Sequence, residues 1–216
     1  ADVIEGDITD LDTVQQAMKG VEVVFHQAAL ASVPRSVANP LATHRACVDG
    51  TLHVLVAARD AGVRRVVYAA SSSAYGNSAR LPKTETDPTA PLSPYAVAKL
   101  AGEQYCATLS EVYGLETVRL RYFNVYGPRQ TPDSPYAAVI PLFIQAIREG
   151  RSPRVHGDGQ QSRDFTYVAD VVQANLKAAE ADGVSGRVYN VAGGKRVSLL
   201  NLLHLLGELM ETEVRP

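Results

Sequence analysis

The sequence predicts an α/β fold, a parallel sheet assembled from successive βαβ units, and three observations predict it. Short runs of β-branched and apolar residues alternate with amphipathic segments. The amphipathic segments open on Ser, Thr, Asp or Pro and close on Gly. Of 216 residues, 46% are hydrophobic and 20% charged, which is enough apolar material for a sizeable core.

In chain order, strands are expected at 3–5, 21–26, 65–70, 117–123 and 188–191. Between the first two lies "TDLDTVQQAMKG", a short crossover helix that Thr9 or Asp10 can cap and Gly20 can end with a left-handed turn. "LATHRACVDGTLHVLVAARDAG" has apolar residues at helical spacing, stops at Gly62 and leads directly into "RRVVYAA". "SPYAVAKLAGEQYCATLSEVYG" offers Ser93 as cap, Pro94 as first helical residue and Gly114 as the end. Three further helices are expected within 137–150, 167–181 and 198–212, and the Pro-rich stretches 81–94 and 128–135 read as loops beyond strand ends.

Composition excludes several roles. A net charge of -2 with scattered Lys and Arg argues against a nucleic-acid partner. Cys47 and Cys106 stand in no disulfide-framework or zinc-ligand spacing, so no metal is expected and a reduced, cytoplasmic setting fits. No run approaches the roughly 20 apolar residues of a membrane span.

The chemistry concentrates in "SSSAYGNSARLPKTETDPTAPLSPYAVAK", residues 71–99. Tyr95 and Lys99 are one helical turn apart and share a face. An ammonium beside a phenol favours the phenolate, which makes Tyr95 a general-base candidate. The serines follow a strand directly, at the carboxyl end where parallel sheets place ligands, and a hydroxyl there can bond the substrate oxygen that Tyr95 deprotonates. A surface Tyr-Lys pair and a polar strand end are the ordinary alternatives for each feature taken alone.

Together with "EGDITD", "FHQAA", "SVPRS", "NPLATHRACVDGT", "LRYFNVYGPRQ", "YAAVIPLF", "GDGQQSRDFTYVADVVQA" and "VYNVAGG", these motifs run along the whole chain. In that order the sequence resembles the extended short-chain dehydrogenase/reductase superfamily, within it the NAD-dependent nucleotide-sugar epimerases. The likeness is nearest to those acting at C4 of UDP-N-acetylhexosamines and UDP-glucose. The resemblance implies a Rossmann-like, doubly wound parallel sheet with a small, incomplete substrate-binding region. It places the main domain at 1–127 and 165–192, and part of the substrate region at 128–164 and 193–216.

By position, the resemblance makes Tyr95 the acid/base, Lys99 its tuner and a holder of the nicotinamide ribose, and Ser71 a hydrogen-bonding partner of the sugar 4-oxygen. Ser72 and Ser73 would line the sugar pocket. Asp7 and Ile8 would hold the adenine, Ala28, Ala29 and Leu30 would run past the pyrophosphate and ribose, and Tyr122 would sit near the nicotinamide. Asn124, Gln130, Ala138, Val139 and Arg163 fall where the family contacts substrate. A homodimer is implied, with Leu52, Leu55, Val56, Leu100 and Tyr105 on its helical interface.

Other roles stay open. Asp7 can cap a helix, Arg163 can pair with Asp164, and His26, Tyr75 and Tyr126 read as structural. Cys47 stands where the family usually has Asn, and Ala31 where many relatives have Gly. The family's Gly-rich phosphate turn does not precede Ala1, and its substrate domain continues past the point where this sequence stops. The 216 residues are therefore expected to be a fragment that neither holds NAD tightly nor turns over alone. Rival readings are a nucleotide-sugar dehydratase or decarboxylase, which would carry acidic residues where Ser72 and Ser73 stand, and an inactive dimerising fragment.

Overall fold

The computed structural model describes residues 2–133 and 137–214. Pro135, in the second Pro-rich stretch, and Tyr136, in "YAAVIPLF", lie outside the described residues. Contacts divide the chain into two units. One runs to Tyr122 and resumes over Val172–Val191; the other comprises Phe123–Val171 and the residues from Ala192 onward.

The elements follow as α1 (Leu11–Ala17), β1 (Val23–His26), α2 (Val33–Ala38), α3 (Pro40–His44), a π turn (Arg45–Asp49), α4 (Gly50–Asp60), β2 (Arg65–Ser71), a 3-10 turn (Ser72–Tyr75), α5 (Pro94–Tyr113) and β3 (Glu116–Tyr122). After these come β4 (Val125–Tyr126), α6 (Val139–Arg148), β5 (Ser162–Asp164), β6 (Thr166–Tyr167), α7 (Val168–Glu180), β7 (Arg187–Val191), β8 (Arg196–Ser198) and α8 (Leu199–Leu209). Capping follows the side-chain chemistry. Asp10, Ser32, Asn39, Ser93 and Ser198 each accept a backbone N–H at a helix start, and Gly114 ends α5 at φ 70°.

In the first unit β1, β2, β3 and β7 pair side by side in that order, all parallel. The expected strand at 3–5 does not form. A strand requires a hydrogen-bonded neighbour, and among the described residues β1 pairs only with β2, leaving Val3 92% and Ile4 57% exposed. The helix expected over 41–62 is likewise interrupted. The π turn at Arg45–Asp49 inserts a widened step, next to which the Thr51 hydroxyl donates to the Cys47 carbonyl at 2.7 Å.

The core of this unit joins Val14 of α1 and Met18 just after it, Val54, Leu55 and Ala58 of α4, Val66 and Tyr68 of β2, and Cys106 and Leu109 of α5. Each fully buried Val or Leu contributes roughly 1.5–3 kcal/mol. Leu55 has no exposed surface, which removes it from the expected dimer face. Arg65, also buried, reaches the end of α7, where Nη1 donates to the carbonyls of Ala178, Ala179 and Ala181 at 2.8–3.0 Å. These are carbonyls a helix end leaves without intrahelical donors.

Gly102 of α5 has a packing reason, because a Cβ there would fall 2.3 Å from the Tyr68 hydroxyl. Gly102→Ala is expected to destabilise the protein by about 1–3 kcal/mol in denaturant unfolding, since neither the buried ring nor the strand carrying it has room to retreat. An unchanged midpoint would show that Tyr68 can move.

In the second unit β4 pairs with β6 in parallel and β5 with β8 antiparallel. Its core joins Phe143 and Ile147 of α6 to Leu202, Leu203 and Leu206 of α8.

Candidate active site

Ser71 is the last residue of β2 and lies opposite Tyr122, the last of β3. Parallel strands that end together expose their carboxyl ends as one shelf. Ser71 also caps the 3-10 turn, its hydroxyl accepting from the Ser73 amide at 3.2 Å and meeting the Ser73 hydroxyl at 2.8 Å. Ser72 is the first residue of that turn. Tyr95 enters in the first turn of α5, whose start is fixed by Ser93 accepting from the Ala96 amide at 3.1 Å.

Burial raises the Tyr95 phenol above its ordinary value, and the pull downward comes from the Ser71 hydroxyl. The Lys99 ammonium, one helical turn on, lies 4.3 Å from the centre of the Tyr68 ring, and burial lowers it to about 8.

The segment joining Ser71 to Tyr95 is anchored by part-buried polar contacts. At Gly76, φ 57°, a Cβ would fall 2.0 Å from the Ala90 carbonyl, and the Ala90 amide donates to Ala74 at 2.8 Å. Further along, the Asn190 amide donates to Glu85 Oε1 at 2.7 Å and its side chain donates to the Lys83 carbonyl at 3.2 Å. Asn190 Oδ1 accepts from the Tyr75 hydroxyl at 2.7 Å. The Tyr75 ring lies 4.7 Å beneath the Arg121 guanidinium, which pairs with Glu103 through both carboxylate oxygens at 2.6 and 2.9 Å. Arg121 and Glu103 are 3% and 1% exposed.

His26 is a core residue. The Thr51 hydroxyl spends its proton on Cys47, so it accepts from His26 Nε2–H at 2.9 Å. Burial, aided by the Lys99 charge, lowers His26 to about 3. An unfolded histidine takes up its proton near 6.5, so between pH 6.5 and 3 the unfolded state binds the extra proton and stability falls as pH drops. His26→Asn is expected to remove up to about 1.4 kcal/mol per pH unit from that slope. Parallel stability curves for wild type and variant across this range would refute it.

Asp7 is exposed and forms a turn, its Oδ1 accepting from the Thr9 amide at 2.8 Å, which lowers its carboxyl. Ile8 packs against Gly50, where a Cβ would lie 2.7 Å away. Ala28 is exposed just beyond β1, while Ala29 and Leu30 pack on Cys47, Val48 and Ala98. Tyr122 meets two residues the sequence did not single out. Asn175 Nδ2 donates to its hydroxyl at 2.7 Å and Gln27 Nε2 at 3.2 Å. Gln27 stands directly after β1 and Asn175 within α7, and neither position by itself signals a contact with Tyr122.

In the second unit, Asn124 Nδ2 donates to the Asp164 carbonyl at 3.0 Å. Gln130 lines a cavity of about 500 Å³ with Gly127, Ile140, Pro141, Ile144 and Arg148. Ala138 is the residue before α6 and Val139 its first. Arg163 is exposed, and its neighbour Asp164 does not pair with it. The Asp164 carboxylate accepts instead from the Gly193 and Gly194 amides at 2.7 and 2.9 Å. Among the described residues, no group of three or more His, Cys, Asp or Glu is placed to hold a metal, and no helix is long and apolar enough to cross a membrane.

Residues 1–192 match the NAD dependent epimerase/dehydratase family. The chain belongs to that family. It is 40% identical over 203 residues to the UDP-glucose 4-epimerase of Mycolicibacterium smegmatis, covering 94% of this chain and 63% of that protein. The solved UDP-N-acetylglucosamine 4-epimerase of Methanobrevibacter ruminantium, in complex with UDP-N-acetylmuramic acid, superposes with a TM-score of 0.94 at 43% identity, covering 98% of this chain and 67% of its own. The UDP-glucose 4-epimerase of Thermotoga maritima, solved with UDP-glucose, gives 0.93 at 35% identity, covering 99% and 69%. The chain thus spans about two thirds of the length of these epimerase/dehydratase relatives.

Proposed function

We propose that the protein catalyses NAD-dependent epimerisation at C4 of a UDP-sugar, a UDP-N-acetylhexosamine or UDP-hexose, through a transient 4-keto sugar. The observation that carries this reading is the meeting of Tyr95 with the Ser71 hydroxyl at the carboxyl end of β2, one helical turn ahead of the buried Lys99, with hydroxyls rather than carboxylates at Ser72 and Ser73. The donor set fits the cofactor. Lys99 is a desolvated ammonium with no carboxylate paired to it among the described residues, the donor that a ribose hydroxyl needs. NAD, when bound, supplies the hydride acceptor and returns the hydride to the same carbon.

In this reading Ser71 orients the sugar 4-hydroxyl and Tyr95 takes its proton, then returns a proton after the keto sugar has turned over. Asp7, Ile8, Ala28, Ala29, Leu30 and Tyr122 serve the cofactor with Lys99 and Tyr95. Ser72, Ser73, Asn124, Gln130, Ala138, Val139 and Arg163 serve the substrate. The first unit is the cofactor domain and the second the substrate region. Buried, unpaired Cys47 and Cys106 suit a reducing cytoplasm. The test is a product assay on the full-length protein with UDP-glucose, UDP-N-acetylglucosamine and their uronates. Interconversion of C4 epimers supports the proposal; a released dehydrated or decarboxylated sugar would assign the rival chemistry.

We also propose an isologous homodimer. Val97, Tyr105 and Val112 stand 38–63% exposed on one stripe of α5, and Val37 and Leu41 are exposed on α2 and α3, which pack against α5. This face keeps Tyr105 from the one expected, without the buried Leu55, and it suits a second copy of itself. Sedimentation at micromolar concentration is expected to give twice the chain mass; a monomer would refute the assembly.

A further inference from the structure

Lys99 is 3% exposed, and a buried ammonium ordinarily has a carboxylate beside it. The carboxylate one helical turn on, Glu103, is committed to Arg121 through both oxygens. The titratable groups bearing on Lys99 from the surrounding elements are His26 of β1, Cys47 of the π turn, Cys106 of α5 itself and Tyr68 of β2. Of these His26 is held neutral, the Cys106 thiol is pushed up to about 12 and Tyr68 well above its ordinary value, all by burial.

The electron-rich surface that faces the charge is therefore the Tyr68 ring, 4.3 Å from Nζ. An aromatic face attracts a cation most when both are out of water. The same side chain holds the other end of the lysine, because the Tyr68 hydroxyl donates to the Lys99 carbonyl at 3.2 Å. The missing Cβ at Gly102 lets the hydroxyl come that close to α5.

We propose that Tyr68 is a positioning residue for Lys99, its ring fixing the ammonium and its hydroxyl fixing the backbone of the turn that follows Tyr95. The inference rests on the reading above for what Lys99 does, not for how it is held. Tyr68 touches neither substrate nor cofactor in this role. It acts through the lysine and ties α5 to β2, the strand that carries Ser71.

The test is a titration of the Lys99 side-chain nitrogen by NMR in the full-length protein, with the resonance assigned by its loss in Lys99→Arg. Tyr68→Phe keeps the ring and is expected to leave the midpoint within about 0.3 units of wild type. Tyr68→Leu and the longer, unbranched Tyr68→Met remove the ring and are expected to lower it by about one unit, a tenfold change in the dissociation constant, since the charged form loses its partner. Turnover measured alongside is expected to stay within about threefold for Tyr68→Phe and to fall at least about tenfold for the ring-less variants, with the alkaline limb of the pH profile displaced downward. Equal midpoints in Phe and Met variants would overturn the proposal. An inactive wild type would overturn the functional reading alone, because the titration does not depend on turnover.

Discussion

Tyr95→Phe is expected to lower turnover in the full-length protein by at least ~100-fold, the range a positioned acid/base contributes, with little change in substrate affinity. The substitution deletes one oxygen and leaves the ring that packs at the start of α5. The fold loses one hydrogen bond to Ser71, and unfolding free energies are expected to agree within about 1.5 kcal/mol. What is lost is the group that Ser71 addresses at the end of β2. Steady-state kinetics on the preferred sugar, read as kcat and KM separately, check it. Near-normal kcat would mean that the proton leaves by another route and would withdraw the role assigned to Tyr95.

Glu103→Ala is expected to cost about 3–5 kcal/mol, the penalty for leaving a buried cation without its partner. Arg121 would keep its place over the Tyr75 ring with two N–H groups no longer received by a carboxylate. Glu103→Leu combined with Arg121→Met is expected to recover most of the loss, because a packed apolar pair of similar volume carries no desolvation cost. Denaturant unfolding of Glu103→Leu, Arg121→Met and the double variant, beside Glu103→Ala, measures this. Additive losses in the double variant would show that the pair contributes through something other than mutual neutralisation.

Much of the architecture was legible because local rules act locally. Ser93, Pro94 and Gly114 bounded α5, and β-branched runs marked β1, β2, β3 and β7. Residues 3–5 have strand character but no pairing neighbour among the described residues, and pairing is a property of the sheet rather than of the run. The break of the 41–62 helix at the π turn leaves no periodicity signal, and Leu55 faces the core although its helix is apolar nearly all round. Tyr95 and Lys99 were legible as a pair from their spacing, yet what the ammonium faces comes from a strand some thirty residues earlier. Gln27, Tyr68, Glu103 and Asn175 escaped for the same reason: each acts through partners that sequence distance conceals.

Tyr75 and Asn190 lie 115 positions apart, and their hydrogen bond ties the segment between Ser71 and Tyr95 to β7. Contacts this distant in sequence are slow to close, because the entropy of a long loop is lost before the contact rewards it. During synthesis, therefore, a nascent chain that has passed Lys99 already contains the serine, the tyrosine and the lysine, but the segment holding them in register waits for a strand made much later. The register proposed for the site is therefore complete only when the last edge of the sheet, β7, has joined β3.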